Sequence, residues 1–172
     1  AVSLIDSTDV SFRNDGSLTV TTGVTLRYGL YLVQSSSVEL TNTGLIDGTD
    51  SGLRATFTSA VVGTNSGIIR GDEAIALGSS SILDLVNFGT VEGLDAGSAA
   101  VDLVASAQVT FENTGVLTGP ATALQAGDQA DKVINDGLIS GDLHFEAGAD
   151  ILINSGRIVG DVDMGNGIDT FD

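Results

Sequence analysis

The stretch NDGLISG, Asn135 to Gly141, decides the fold, because its pattern N-x-G-x-Φ-x-G, with Φ aliphatic, returns along the chain. The other intact copies are NTGLIDG from Asn42, NSGIIRG from Asn65, NFGTVEG from Asn87, NTGVLTG from Asn113 and NSGRIVG from Asn154; a degenerate copy, NDGSLTV, begins at Asn14. Successive asparagines lie 28, 23, 22, 26, 22 and 19 residues apart. Self-similarity at that period marks a solenoid, in which each repeat buries its core against its neighbours.

Working outward from the asparagine, each repeat holds three short extended stretches. The first alternates just before Asn, as in Val10-x-Phe12, Val38-x-Leu40, Leu83-x-Leu85 and Val109-x-Phe111, a period of two that sets one group of residues on one strand face. The second carries the motif aliphatic, Ile46, Ile69, Val91, Leu117, Ile139 and Ile158. The third follows the closing glycine, as in Ala74 to Leu77, Ala100 to Leu103, Leu143-x-Phe145 and Val162-x-Met164. Strands that meet their own equivalents one turn later form parallel sheets. The spacing therefore predicts an all-β, three-sided parallel β-helix of about seven coils, roughly 35 Å long at ~4.8 Å per coil. Helical repeats are excluded because Gly and Asn recur every few residues and leave no run of helical periodicity.

Composition is consistent with one elongated domain over residues 1–172, with a looser repeat frame over 1–41. The chain has 23 Gly, one Pro and 42% hydrophobic residues, mostly small aliphatics, which suits a long narrow interior that turns often. No signal-peptide pattern opens it, and no stretch approaches the ~20 apolar residues of a membrane-spanning helix. Cysteine is absent. The ending breaks off in mid-repeat, so the chain reads as a segment of a longer repetitive protein. Net charge is −17, with nine acids and four bases over residues 1–86 against fourteen and two over 87–172. Such a rod repels nucleic acid and anionic lipid, which argues against both as partners and against direct membrane insertion.

The phrases VINDGLISGDL (133–143) and NSGRIVGDVDMGNGIDTFD (154–172) resemble the degenerate repeats of bacterial autotransporter and filamentous adhesin passengers. That resemblance implies a right-handed β-helix, an extracellular or bacterial cell-surface location, and a structural or adhesive role. The partners expected are a protein or glycan on a host or neighbouring cell, or further copies of the rod, meeting side by side along an outward apolar stripe or end to end through unpaired sheet edges. MGNGIDTFD from Met164 also resembles one copy of the calcium-binding nonapeptide GGxGxDxΦx, with Gly165, Gly167, Asp169 and Phe171 in place and Met164 departing from the first glycine.

Three columns of residues are candidates for function. Asn14, Asn42, Asn65, Asn87, Asn113, Asn135 and Asn154 form a predicted structural ladder, by tolerating left-handed backbone at a corner and by bonding amide to amide between coils. Asp131, Asp150 and Asp169, spaced by 19 and 19, are a candidate calcium row; the incomplete glycine frame of their neighbours leaves backbone capping as the other reading. The residues before the motif aliphatic, Leu45, Ile68, Thr90, Val116 and Leu138, should face outward as an apolar contact stripe ending at Arg157. The next outward positions, Asp47, Arg70, Glu92, Thr118, Ser140 and Val159, hold no threonine ladder of the kind that ice binding uses.

Catalysis has little to stand on. Arg13, Arg27, Arg54, Arg70, Lys132, Arg157 and His144 do not share one column, Arg70 beside Asp72 and Glu73 reads as a surface ion pair, and no G-x-S-x-G elbow occurs. The sequence thus reads as a non-enzymatic scaffold without a required cofactor. The alternatives are a carbohydrate-active β-helix of the polysaccharide lyase or hydrolase kind, with loops projecting at 21–37 and 94–108, and a calcium-binding secreted repeat module.

Overall fold

Alternation before each asparagine gives strands, and the strands stack as three parallel faces. The computed structural model describes residues 1–20, 27–34, 37–57, 60–78, 81–103 and 107–172, among which there is no helix. The first face has eight strands, running from Val10–Asn14 and Val38–Asn42 through Val61–Asn65, Ile82–Asn87, Gln108–Asn113, Lys132–Asn135 and Ile151–Asn154 to Thr170–Phe171. The second face holds the motif aliphatics, from Ser17–Thr19 through Leu45–Asp47, Ile68–Gly71 and Thr90–Gly93 to Arg157–Val159. The third runs from Val2–Ile5 through Tyr28–Val33, Ser51–Thr56, Glu73–Leu77 and Ala99–Leu103 to Val162–Asp163. Two long strands, Val116–Gln125 and Leu138–His144, turn the corner and join the second and third faces into one 13-stranded sheet.

The fold is a β-solenoid, with register kept across every motif. Asn14 pairs with Asn42, then with Asn65, Asn87, Asn113, Asn135 and Asn154 in succession, so seven asparagines mark six complete turns with part turns beyond them. The looser sequence frame over 1–41 does not loosen the pairing, since Val10–Asn14 and Ser17–Thr19 meet the next turn residue for residue. Of the two projecting loops expected at 21–37 and 94–108, each contains a strand, Tyr28–Val33 and Ala99–Leu103. Residues 21–26, 35–36 and 104–106 of those intervals lie outside the described residues.

The core is a narrow aliphatic column inside the three faces. Ile46, Ile69, Val91, Leu117 and Ile139 on the second face are fully buried, as are Leu30, Leu53, Ile75, Val101, Leu124 and Leu143 on the third. Phe111 and Phe145 are the largest side chains enclosed. Each face supplies only one or two apolar side chains per turn, so stability accrues turn by turn, as in other repeat arrays.

The first glycine of the motif is needed for close approach rather than for left-handed backbone. A Cβ built on Gly67, Gly89, Gly115 or Gly137 would lie 2.0–2.2 Å from the carbonyl oxygen of the motif glycine one turn before, well inside van der Waals contact. None of these four has positive φ; at the closing position Gly141 does, at 117°, a region that favours glycine.

Candidate functional site

The asparagine ladder is unbroken. Each Nδ2 donates to the Oδ1 of the next asparagine at 2.7–2.8 Å, through all six links from Asn14 to Asn154. It also donates to the backbone carbonyl three residues beyond that next asparagine, such as Thr90 O from Asn65 and Val116 O from Asn87, both at 3.1 Å. Asn42, Asn65, Asn87 and Asn135 are fully buried, so their polar groups are consumed within the rod. Of the two reasons to expect asparagine here, the amide ladder is the one realised; no asparagine of the column has positive φ.

The aspartate row does stack, but its oxygens are aimed differently from those of a calcium site. Asp131 Oδ1 accepts from Val109 N at 2.7 Å and its Oδ2 from Gly127 N at 3.2 Å. Asp150 Oδ1 accepts from Asp131 N at 2.8 Å, and Asp169 Oδ1 from Asp150 N at 3.1 Å. Each carboxylate thus reaches back one turn to a backbone N–H that the strand ladder leaves free. Calcium takes six to eight oxygens in a shell about its own centre, whereas four oxygens of this row accept from backbone N–H groups and Asp131 and Asp150 are fully enclosed. Among the described residues no group of three or more Asp, Glu, His or Cys is placed to hold an ion. The contacts these residues make are those of backbone capping.

Burial sets the protonation of Asp131 and Asp150 more than mutual repulsion does. Desolvation pushes Asp131 up to about 7, against its two backbone bonds and with a smaller push from the Asp150 charge. Asp150 is raised as well, again chiefly by burial, and its Oδ2 is buried without a partner. The same inward position holds Val38, Val61, Leu83 and Val109 in earlier turns. Beyond Val109 an aliphatic column becomes an acidic one.

The stripe faces outward, as alternation requires. Leu45, Ile68, Thr90, Val116 and Leu138 are in register on five successive turns, with Arg157 on the sixth. Ile68 is 40% exposed and the other four are half-buried, and Phe88, two residues before Thr90, stands 56% exposed at its edge. Beside the stripe Arg70 grips Asp47 one turn away through two bonds of 2.8 and 3.2 Å. Arg70 therefore pairs across turns instead of with Asp72 or Glu73.

A fourth column, on the third face, is not evident from the sequence. Its outward positions on successive turns are Tyr31, Arg54, Ala76, Asp102, Gln125 and His144. Arg54 and His144 thus do share a column, although the remaining bases do not. The Tyr28 and Tyr31 rings pack with centroids 4.8 Å apart, and the Arg54 guanidinium sits 5.5 Å from the Tyr28 centroid. Arg54 also approaches Glu73 at 3.6 Å, and Glu73 accepts from the Ser51 hydroxyl at 3.3 Å. Burial raises the carboxyls of both Glu73 and Asp102, with Arg54 pulling the other way. Two shallow clefts, of about 280 and 220 Å³, flank Asp102 and Gln125. Each of these residues sits between two apolar core residues, as Tyr31 does between Leu30 and Leu32, and that shared frame is the signal that could have revealed the column. No protein family, curated protein or solved structure matches the chain.

Proposed function

We propose that this chain is a rigid scaffold segment of a secreted or bacterial cell-surface protein, presenting a repeated contact surface to a protein or glycan on a host or neighbouring cell. The observation that carries the reading is the unbroken six-link asparagine ladder running beside an aliphatic row in the same register. The ladder ties consecutive turns together without disulfides. The row offers one weak contact several times on a backbone that does not bend, which is the geometry that turns weak single contacts into avidity. The resemblance of residues 133–143 and 154–172 to adhesin passenger repeats supports the surface location.

A scaffold reading also agrees with the spacing of the titratable groups. His144 stands two turns from Asp102, roughly 10 Å along the face, which is beyond direct proton transfer between them. Beads coated with the chain test the adhesive role. They should attach to cultured cells, and the Ile68→Asp/Leu138→Asp double variant should lose most of that attachment. Equal attachment by wild type and variant, or none by either, would remove the adhesive half of the reading.

A further inference from the structure

The third-face column is the one place where this aromatic-poor chain concentrates varied side-chain chemistry. Tyr31 stands in it with Tyr28 beside it on the same strand, and the column adds the chain's only histidine, an arginine and an amide. The positions of the column, from Tyr31 to His144, follow one another on consecutive turns at ~4.8 Å intervals, close to the length of one pyranose unit in an extended chain. We propose that this column is a groove for an extended, uncharged oligosaccharide lying along the rod, one sugar to about one turn.

The platform is built before any ligand arrives. Tyr28 and Tyr31 brace one another at 4.8 Å, and Arg54 is held between the Tyr28 ring and the Glu73 carboxylate. A tyrosine so held offers an apolar ring face to the C–H face of a sugar and a hydroxyl at its tip. Holding the side chains in place beforehand removes part of the entropy cost of binding. Between Arg54 and Asp102 the column holds only Ala76, 5% exposed, which leaves a notch one turn wide between a donor and an acceptor. Beyond it the two clefts share Asp102 and Gln125, and add the hydroxyls of Ser98 and Thr122 on one side and Glu146 on the other.

The chemistry of the face selects the ligand. A peptide would seek unpaired strand edges, yet the strands here are paired on both sides through the interior of the stack. Recognition has to come from side chains alone, which suits a ligand rich in hydroxyls. Asp102, Asp128 and Glu146 line the larger cleft with no cation among them, so a polyanionic glycan is repelled. The groove lies on a different face from the aliphatic row, and its loss leaves that row intact.

Isothermal titration of the full chain with cellohexaose, mannohexaose and chitohexaose, and with polygalacturonate as the polyanion, tests the assignment. Saturable binding of at least one of the three hexaoses is expected, weakened about tenfold or more by Tyr31→Ala and by Asp102→Asn. The Ile68→Asp/Leu138→Asp variant should bind as wild type does, which separates this groove from the adhesive row. Circular dichroism melting identifies any variant that has lost its fold, and the near-isosteric Asp102→Asn keeps the test standing if Tyr31→Ala unfolds. Absence of binding by all three hexaoses at millimolar concentration, preference for polygalacturonate, or affinity unmoved in both folded variants would overturn the groove.

Discussion

Asn87 takes part in two ladder links, accepting from Asn65 and donating to Asn113, both at 2.8 Å, with no exposure to water. Asn87→Leu keeps the branched shape, though with bulkier methyl groups, and strands a donor on one neighbour and an acceptor on the other. A buried group left without its partner costs about 1–3 kcal/mol, so the loss in urea unfolding should be roughly 3–5 kcal/mol. The half-buried Asn154, at the last link, should cost less when changed to Ala. Equal effects at both positions would show that the ladder does not act through burial.

Asp131 gives the residue scale a pH signature. Its folded carboxyl titrates near 7, above the 3.8 of an unperturbed Asp. The folded state therefore binds the proton more tightly, and the stability of that protonated form is fully present below about pH 4. It is lost as pH rises from about 4 to 7, where the unfolded chain has ionised and the folded one resists doing so. Across that window the loss amounts to roughly 4 kcal/mol at most, since a tenfold difference in proton affinity is worth about 1.36 kcal/mol. Asp131→Asn keeps an oxygen for Val109 N and removes the titration, so its unfolding free energy should change less between pH 4 and pH 7 than that of wild type. Parallel pH profiles for the two proteins would show that Asp131 does not carry the dependence.

At the scale of the element, the turn between the first and second faces is where sequence and structure meet most closely. Motif glycines stack against one another there, and a Cβ on Gly115 would stand 2.1 Å from the Gly89 carbonyl oxygen. Gly115→Ala should destabilise by about 3 kcal/mol or more, since the clash is with the backbone of Phe88 and Gly89 and not with a flexible side chain. Gly16, with nothing within 4 Å of its Cβ position, should accept Ala within about 0.5 kcal/mol. Thermal melts of the pair check the contrast; two equal shifts would show that close approach between turns is not what the motif glycine serves.

The same turn explains what was legible. Asparagine, glycine and the motif aliphatic have to recur because each touches its own copy one turn away, so the three faces, the register and the outward stripe can be read from Asn14 to Asn154. What depends on a partner outside the motif cannot be read so easily. Asp131, Asp150 and Asp169 show their spacing in the sequence, but only the structure shows that each points at a backbone N–H of the preceding turn. The third-face column stayed hidden because the strand Tyr28–Val33, which carries Tyr31, lies in the longest interval, where the extra residues suggest a loop.

For the whole molecule, electrostatics sets two opposing effects that salt can separate. Four ion pairs join the described residues, all involving arginine: Arg13–Asp15, Arg27–Asp50, Arg54–Glu73 and Arg70–Asp47. Three of the four link adjacent turns, yet all are partly exposed, so each is worth well under about 1 kcal/mol. Against them stands an excess of 17 negative charges, with fourteen acids and two bases in the half after residue 86. Stacking brings those acids within ~5–10 Å of one another on neighbouring turns, inside the ~10 Å screening length of 0.1 M salt. Repulsion among so many should outweigh four weak attractions, so sodium chloride raised from 0.02 to 0.5 M should raise the melting temperature at pH 7.5. The same salt should lower the barrier between rods whose aliphatic rows meet, and sedimentation velocity should then show association that Leu138→Asp abolishes. A melting temperature that falls with salt would mean that the ion pairs across turns, rather than the acidic excess, govern the stability of the rod.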